Sequence, residues 1–225
     1  MTVRIDLTQG ILDDNDEIAA RTFERLRQAG VLCVGLLSSP GAGKTTLLEA
    51  TARAWRDPMR LGVIVGDVAT EVDSARLRAC RMPAAQINTA SHGASCHLSA
   101  GPVAEALDAF DLARLDALFI ENVGNLICPV AFRLGEHQRA VLLSVTEGPD
   151  KPMKYPKAIL DTDLAVITKV DLCPHVDVPA AEVEKNVRRV RPHARVLTVS
   201  TRGAPGIGPW LGWLDDMLAT GGRTK

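Results

Sequence analysis

An excess of charge of either sign is missing from this sequence: 26 Lys and Arg stand against 27 Asp and Glu, a formal net charge of -1. The charges are interspersed, so there is no stripe for nucleic acid, no polybasic patch for a membrane and no acidic tail. Long apolar runs are missing too. The longest, residues 31–37, is far too short to cross a bilayer, and no charged-then-apolar leader follows Met1, so the expected location is the cytoplasm. A disulfide framework is not expected either. The five cysteines are odd in number and spread along a mid-sized chain, which fits buried thiols, reactive thiols or metal ligands. No internal repeat or low-complexity linker divides the 225 residues, of which 46% are hydrophobic and 24% charged. One domain spanning residues 1–225 is expected, with residues 1–30 a helical lead.

What is present alternates. The stretch D-D-N-D-E-I-A-A-R-T-F-E-R-L-R-Q-A-G offers Asn15 or Asp16 as an N-cap, apolar residues at helical spacing and Gly30 as a stop. Short apolar runs at residues 31–37, 61–65, 115–120, 140–145, 164–168 and 195–199 are separated by helix-length segments. Repeated βαβ units follow: an α/β, doubly wound, mostly parallel sheet flanked by helices. The terminal P-W-L-G-W-L-D-D-M-L places Trp210, Leu214, Met217 and Leu218 on one helical face, as for a helix docked on that sheet.

S-S-P-G-A-G-K-T-T, residues 38–46, stands where the first strand ends and a helix begins. A loop of small residues can aim N–H groups at a phosphate chain while the next helix presents its positive end. In the P-loop pattern Gly41, Ala42 and Gly43 wrap the phosphates, Lys44 reaches the β/γ-phosphates, Thr45 ligates Mg²⁺ and Thr46 completes the cradle. Ser38 replaces the pattern's first glycine. T-K-V-D, residues 168–171, ends a later strand; a carboxylate at Asp171 accepts from both the ring N–H and the amino group of guanine, which selects GTP and GDP over adenine nucleotides. The Lys169 stem would lie over the base, with Ser200 a further contact. In G-D-V-A-T-E-V-D, Asp67 is a candidate for the Mg²⁺ shell and Asp73 for orienting the attacking water. In E-N-V-G, Glu121 is expected to reach Mg²⁺ and the Gly124 N–H the γ-phosphate. The catalytic candidates are thus Lys44, Asp67, Asp73 and Glu121.

Cys128 follows Gly124 by four residues, a span of at most about 14 Å. Whatever it binds lies close to the machinery that distinguishes GTP from GDP. Cys96 and His97 form another polar thiol-imidazole pair, a donor set that suits Zn²⁺ or Ni²⁺. Three ligands do not close a site, though a second copy related by a two-fold axis could complete one. Burial of the thiols stands as the alternative, and it is the expected state of Cys33, Cys80 and Cys173. His137, His175 and His193 are expected at the surface.

These strings carry a resemblance. E-N-V-G-N-L-I-C-P and S-V-T-E-G-P-D-K-P-M-K-Y-P, with S-S-P-G-A-G-K-T, G-D-V-A-T-E-V-D-S-A-R and C-H-L-S-A, resemble the nickel-incorporation GTPases of hydrogenase maturation, the HypB family, from about Asn15 to the helix near Trp210. The resemblance implies a SIMIBI-class GTPase that forms a homodimer on GTP binding. It implies Ni²⁺ or Zn²⁺ held at the interface by Cys96, His97 and Cys128. Nickel would pass to a [NiFe] hydrogenase large-subunit precursor, with a small nickel/zinc metallochaperone as partner. The chain departs from the family pattern at Thr168, where Asn is usual, at Ser99, where an acid is common, and in a longer loop before Cys96 that carries His92. Cysteine-rich and histidine-rich leaders are absent, so metal in transit rather than stored metal is expected. A urease-type nickel-insertion GTPase, whose Cys-Pro-His motif is missing here, and a metal-binding scaffold with negligible hydrolysis are the alternatives.

Overall fold

Apolar runs too short for helices become strands here because helices cover both faces of the sheet they form. The computed structural model describes residues 7–68, 71–92 and 96–221, with the backbone alone at 7–11, 91 and 92. In chain order the elements are α1 (Leu7–Gln28), β1 (Leu32–Ser38), α2 (Lys44–Ala54), β2 (Leu61–Asp67), α3 (Val72–Ala79), β3 (Ala84–Asn88), α4 (Ala100–Ala106) and β4 (Ala117–Glu121). They continue with β5 (Gln138–Ser144), α5 (Lys151–Lys154), α6 (Pro156–Leu160), β6 (Leu164–Thr168), α7 (Cys173–Val176), α8 (Ala180–Val190), β7 (Arg195–Thr198) and α9 (Gly208–Ala219). The strands form one sheet in the order β3-β2-β4-β1-β5-β6-β7, and every pairing between them is parallel. No helix among the described residues is long and apolar enough to cross a membrane.

Alternation along β1 shows how the layers are built. Leu32, Val34 and Leu36 pack with Leu47 and Leu48 of α2 and with Trp210, Trp213, Leu214 and Met217 of α9. Cys33, on the opposite face, packs with Leu26 of α1 and Val103 of α4. On β5, Val141 and Leu143 meet Ile159 of α6 and Val183 and Val187 of α8. Trp210 is fully buried, stacks on Trp213 at 5.1 Å and donates its indole N–H to Thr51 Oγ1 at 2.9 Å. Each such side chain removed from water stabilises the fold by roughly 1.5–3 kcal/mol.

Four expectations need correction. A seventh strand, β3, went unrecognised: in A-A-Q-I-N at the sheet's edge only Ile87 is buried, so no apolar run marks it. Helix α1 starts at Leu7, so neither Asn15 nor Asp16 is its N-cap. Asn15 is instead buried in mid-helix, where Oδ1 accepts the Ala100 N–H at the start of α4 (2.8 Å) and Nδ2 donates to the Arg133 carbonyl (2.8 Å). Strand β5 begins at Gln138 because Arg139, 1% exposed, is neutralised by Glu136 and donates to the Val130 and Phe132 carbonyls at 3.0 and 2.7 Å. His137 is half-buried rather than a surface residue: its ring packs against Phe23 at a 52° tilt, its Nδ1 accepts the Cys33 N–H at 2.9 Å, and burial lowers its pKa. Gly30 does stop α1, at φ 70°.

Candidate functional site

Strands β2, β4 and β1 are neighbours, so the loops leaving them meet at the carboxyl edge of the sheet, where doubly wound folds collect ligands. Between β1 and α2 the chain turns through Gly43 at φ 99°, a left-handed conformation that residues with side chains avoid. Helix α2 then begins at Lys44, its first N–H groups unpaired within the helix. Lys44 Nζ is buried and donates to the Ser38 hydroxyl at 2.9 Å. Burial holds its pKa below the ordinary value, against the pull of the Glu121, Asp73, Glu147 and Asp67 carboxylates. Gly124 sits so close to the loop that a Cβ there would lie 2.8 Å from Pro40 Cα. Position 124 is therefore closed to any side chain.

Glu121 ends β4 against Thr45, whose hydroxyl donates to Oε1 at 2.7 Å. Its other oxygen, Oε2, is buried with no hydrogen-bond partner. Burial outweighs Lys44 and the Thr45 hydroxyl, and the carboxyl pKa is pushed up to about 7. Asp67 lines the same cavity of about 540 Å³, its carboxylate accepting the Val68 N–H at 2.6 Å. A partnerless buried carboxylate oxygen, a threonine hydroxyl and a second carboxylate make an all-oxygen set of the kind Mg²⁺ takes, so the residues present fit that ion.

The raised pKa has a measurable sign. Between pH 4.5 and about 7 the folded chain keeps a proton on Glu121 that the unfolded chain has released. Stability therefore falls as pH rises through that window, by roughly 3 kcal/mol over its full extent. In protein free of magnesium and nucleotide, Glu121→Gln is expected to melt well above the wild type at pH 8 and close to it at pH 5. Equal melting temperatures at pH 8 would show that the ionised carboxylate carries no such penalty.

Asp73, in the first turn of α3, receives Arg76 Nη1 at 3.1 Å. Arg76 also binds both oxygens of Glu49 at 3.2 and 2.9 Å and approaches Thr46 Oγ1 at 3.4 Å. This arginine lines the cavity and was missed in the sequence analysis. Its signal was the Asp-x-x-Arg spacing, which sets acid and base one helical turn apart.

A second cavity, about 290 Å³, adjoins the first through Gly43, Thr46 and Lys169 and is lined by Asp171 and Arg202. Both residues that open the T-K-V-D string grip the loop after β1. Thr168 Oγ1 donates to the Ala42 carbonyl at 2.7 Å and Lys169 Nζ to the Gly41 carbonyl at 2.7 Å. Thr168 thus fastens base side to phosphate side with its single proton. The buried Ser200 hydroxyl donates to Asp171 Oδ1 at 2.5 Å while accepting the Gly203 N–H at 3.0 Å. Ser200 orients that carboxylate.

Cys128 opens a 3₁₀ turn, Cys128–Ala131, after the Glu121 segment. Its thiol neighbours that of Cys96, and this contact, with burial, raises the Cys96 pKa. Cys96 Sγ lies 3.4 Å from His97 Nδ1, and the His97 ring stacks on Phe132 at 4.1 Å between centroids. The three residues named in the sequence analysis are therefore adjacent. Among the described residues, however, no group of three His, Cys, Asp or Glu side chains is gathered as for a metal ion. The His92 side chain and residues 93–95 of the longer loop lie outside the described residues. Of the remaining thiols Cys33 is buried, while Cys80 and Cys173 are half-buried against core clusters.

A parallel seven-stranded sheet with this loop after its central strand and a Lys-x-Asp string beside the adjoining cavity defines a P-loop GTPase fold of the SIMIBI class. The same fold is seen in FlhF complexed with GTP/Mg²⁺, at a TM-score of 0.55 and 16% identity. Residues 32–198 match the CobW/HypB/UreG nucleotide-binding domain family. The hydrogenase maturation factor HypB of Azotobacter vinelandii is 44% identical over 219 residues, covering 97% of this chain and 71% of that protein. HypB of Escherichia coli K12 is 42% identical over 91% of this chain and 70% of its own length. Helicobacter pylori HypB, solved in complex with nickel, superposes at a TM-score of 0.87 with 33% identity, covering 94% of this chain and 98% of that one. HypB from Archaeoglobus fulgidus gives 0.83 and 34%, over 92% and 99%. The chain belongs to the HypB family of hydrogenase maturation factors.

Proposed function

We propose that this chain is a single-domain, slow cytoplasmic GTPase that binds nickel at a GTP-dependent dimer interface and delivers it for [NiFe] hydrogenase maturation. One observation carries the reading. The segment that begins at Glu121, against Thr45 of the P-loop, ends at Cys128, against Cys96. Nucleotide-facing and metal-facing groups share one short stretch of backbone, so a change at one end is felt at the other.

In this reading GTP lies across the two cavities, its guanine held by Asp171 with Ser200 behind it and by the Lys169 stem, its phosphates by residues 41–46. Lys44 exchanges the Ser38 hydroxyl for β/γ-phosphate oxygens, and the Gly124 N–H meets the γ-phosphate. Thr45, Glu121 and Asp67 would hold Mg²⁺, which supplies charge neutralisation between the β- and γ-phosphates. Asp73 accepts a hydrogen bond from the attacking water and orients it, while Arg76 steadies Asp73. The products are GDP and phosphate.

Nickel, with zinc as the competing ion, is the cargo of Cys96, His97 and Cys128. The set is completed when a second copy brings its own. Exposed apolar side chains rim this region: Ile127 beside Cys128, and Val68 and Val72 flanking the phosphate cavity. They suit a homodimer across the nucleotide. A small nickel/zinc metallochaperone would load the site and a hydrogenase large-subunit precursor would receive the metal. A urease client is a second reading, favoured by a 37% identical relative from Helicobacter pylori named hydrogenase/urease maturation factor HypB.

Nickel titration of the wild type, loaded with GDP or a non-hydrolysable GTP analogue, tests the core of this. The analogue is expected to give a dimer whose nickel affinity differs from that of the GDP form. A monomer in both states with identical nickel binding would remove the nucleotide from the metal's control.

A further inference from the structure

We propose that Asn125, aided by Asn122, is the positioning residue that ties Cys96 and His97 to the nucleotide cleft, so that both halves of the nickel site follow the Glu121–Gly124 segment. The inference rests on the function proposed above and goes past it. Cys128 follows that segment along the chain. Cys96 and His97 belong to the connection between β3 and α4, distant in sequence, and apart from the contact of the Cys96 thiol with Cys128 they are tied to it through their backbone.

Asn125 supplies one at the junction of three segments. Its backbone forms an isolated antiparallel bridge with Ser38, the residue whose hydroxyl receives Lys44. Its Oδ1 accepts the Ile127 N–H at 2.9 Å, shaping the turn that leads into Cys128. Its Nδ2 donates to the carbonyl of Cys96 at 3.4 Å, a long hydrogen bond that a small advance of the segment would shorten. One residue therefore touches the strand end at the P-loop through its backbone and the segments of both thiols through its amide.

Asn122 makes a second clasp. It is buried, and its Oδ1 accepts the Leu98 N–H at 3.2 Å as well as the Val123 N–H at 2.9 Å. Leu98 in turn fills the space over Gly66, where a Cβ would lie 2.6 Å from Leu98 Cγ, next to Asp67. The residues on either side of His97 are thus held by the two asparagines of E-N-V-G-N. The amide of Asn125 donates from one atom and accepts at another, so it spans both segments, whereas a carboxylate only accepts and would set a negative charge against the Cys96 carbonyl oxygen.

Asn125→Asp keeps Oδ1 and removes the donor, at a half-buried position. Ni²⁺ is titrated into the full chain with GDP or with a non-hydrolysable GTP analogue and Mg²⁺, reading affinity and the thiolate-to-nickel charge-transfer absorption. In the wild type the two nucleotides are expected to separate nickel affinity by a factor of roughly 5–150; in Asn125→Asp, and in Asn125→Ser as a second variant, the ratio falls to within about twofold. The absorption band then stops responding to nucleotide, while nucleotide affinity and melting temperature stay at wild-type values. A wild-type ratio and band shift in both variants overturn the proposal. So does an equal loss of nickel affinity in both nucleotide states, the mark of a merely structural residue. A wild type that ignores nucleotide overturns the function proposed above and this inference with it, and the wild-type arm alone tells the two failures apart.

Discussion

Lys44→Ala is expected to lower GTP turnover by about a hundredfold or more, the scale seen when one preorganised donor to developing charge is removed. Lys44 is buried at the start of α2 and surrounded by the Glu121, Asp73, Glu147 and Asp67 carboxylates, so its charge acts where water screens least. The other cations lining the cavity cannot replace it. Arg76 is engaged by Glu49 and Asp73, and Lys169 by the Gly41 carbonyl. Alanine keeps the helix, and it frees the fold from burying an ammonium group. Phosphate release at saturating Mg²⁺ and GTP, with the melting temperature as a control, reads the effect. Equal and negligible turnover in wild type and variant would leave a nucleotide-binding scaffold instead of an enzyme.

Cys128→Ser is expected to cost at least about a hundredfold in nickel affinity, more than the 10–100-fold typical of losing a residue one shell further out. The change is nearly isosteric, but a hydroxyl is a poor ligand for a borderline-soft ion beside a thiol and an imidazole. In this chain it also replaces the thiol beside Cys96 with a hydroxyl. GTP turnover should persist, because Glu121 and Thr45 stand at the other end of the segment. Nickel affinity and the charge-transfer band check this together. Unchanged values in the variant would make Cys128 a packing residue.

What could be read in advance was local. The P-loop string, T-K-V-D and E-N-V-G-N-L-I-C-P specify short backbone geometries, so their spacing alone places the residues around one cleft. What escaped was set by partners distant in sequence. Strand β3 is held by β2, although few of its own side chains are buried. Arg139 reads as a charged surface residue until Glu136 and two carbonyls are found around it. Asn15 looks like a helix cap and is one in part, yet the N–H it receives belongs to α4. Thr168, a departure from the usual asparagine, still reaches the Ala42 carbonyl, a contact that composition could not show.

The position of β1 in the sheet also bears on how the chain comes off the ribosome. Its hydrogen-bonding partners are β4 on one side, beginning with Leu32 opposite Ala117, and β5 on the other, ending with Ser38 opposite Leu142. The loop after β1 therefore has no settled floor until the chain has been made beyond Ser144. Long-range parallel pairing of this kind is slow, and during synthesis the amino-terminal strands wait with their edges unpaired. In the reading proposed above, guanine also needs Asp171 and Ser200, which emerge later still, so nucleotide capture would come near the end of the domain's synthesis.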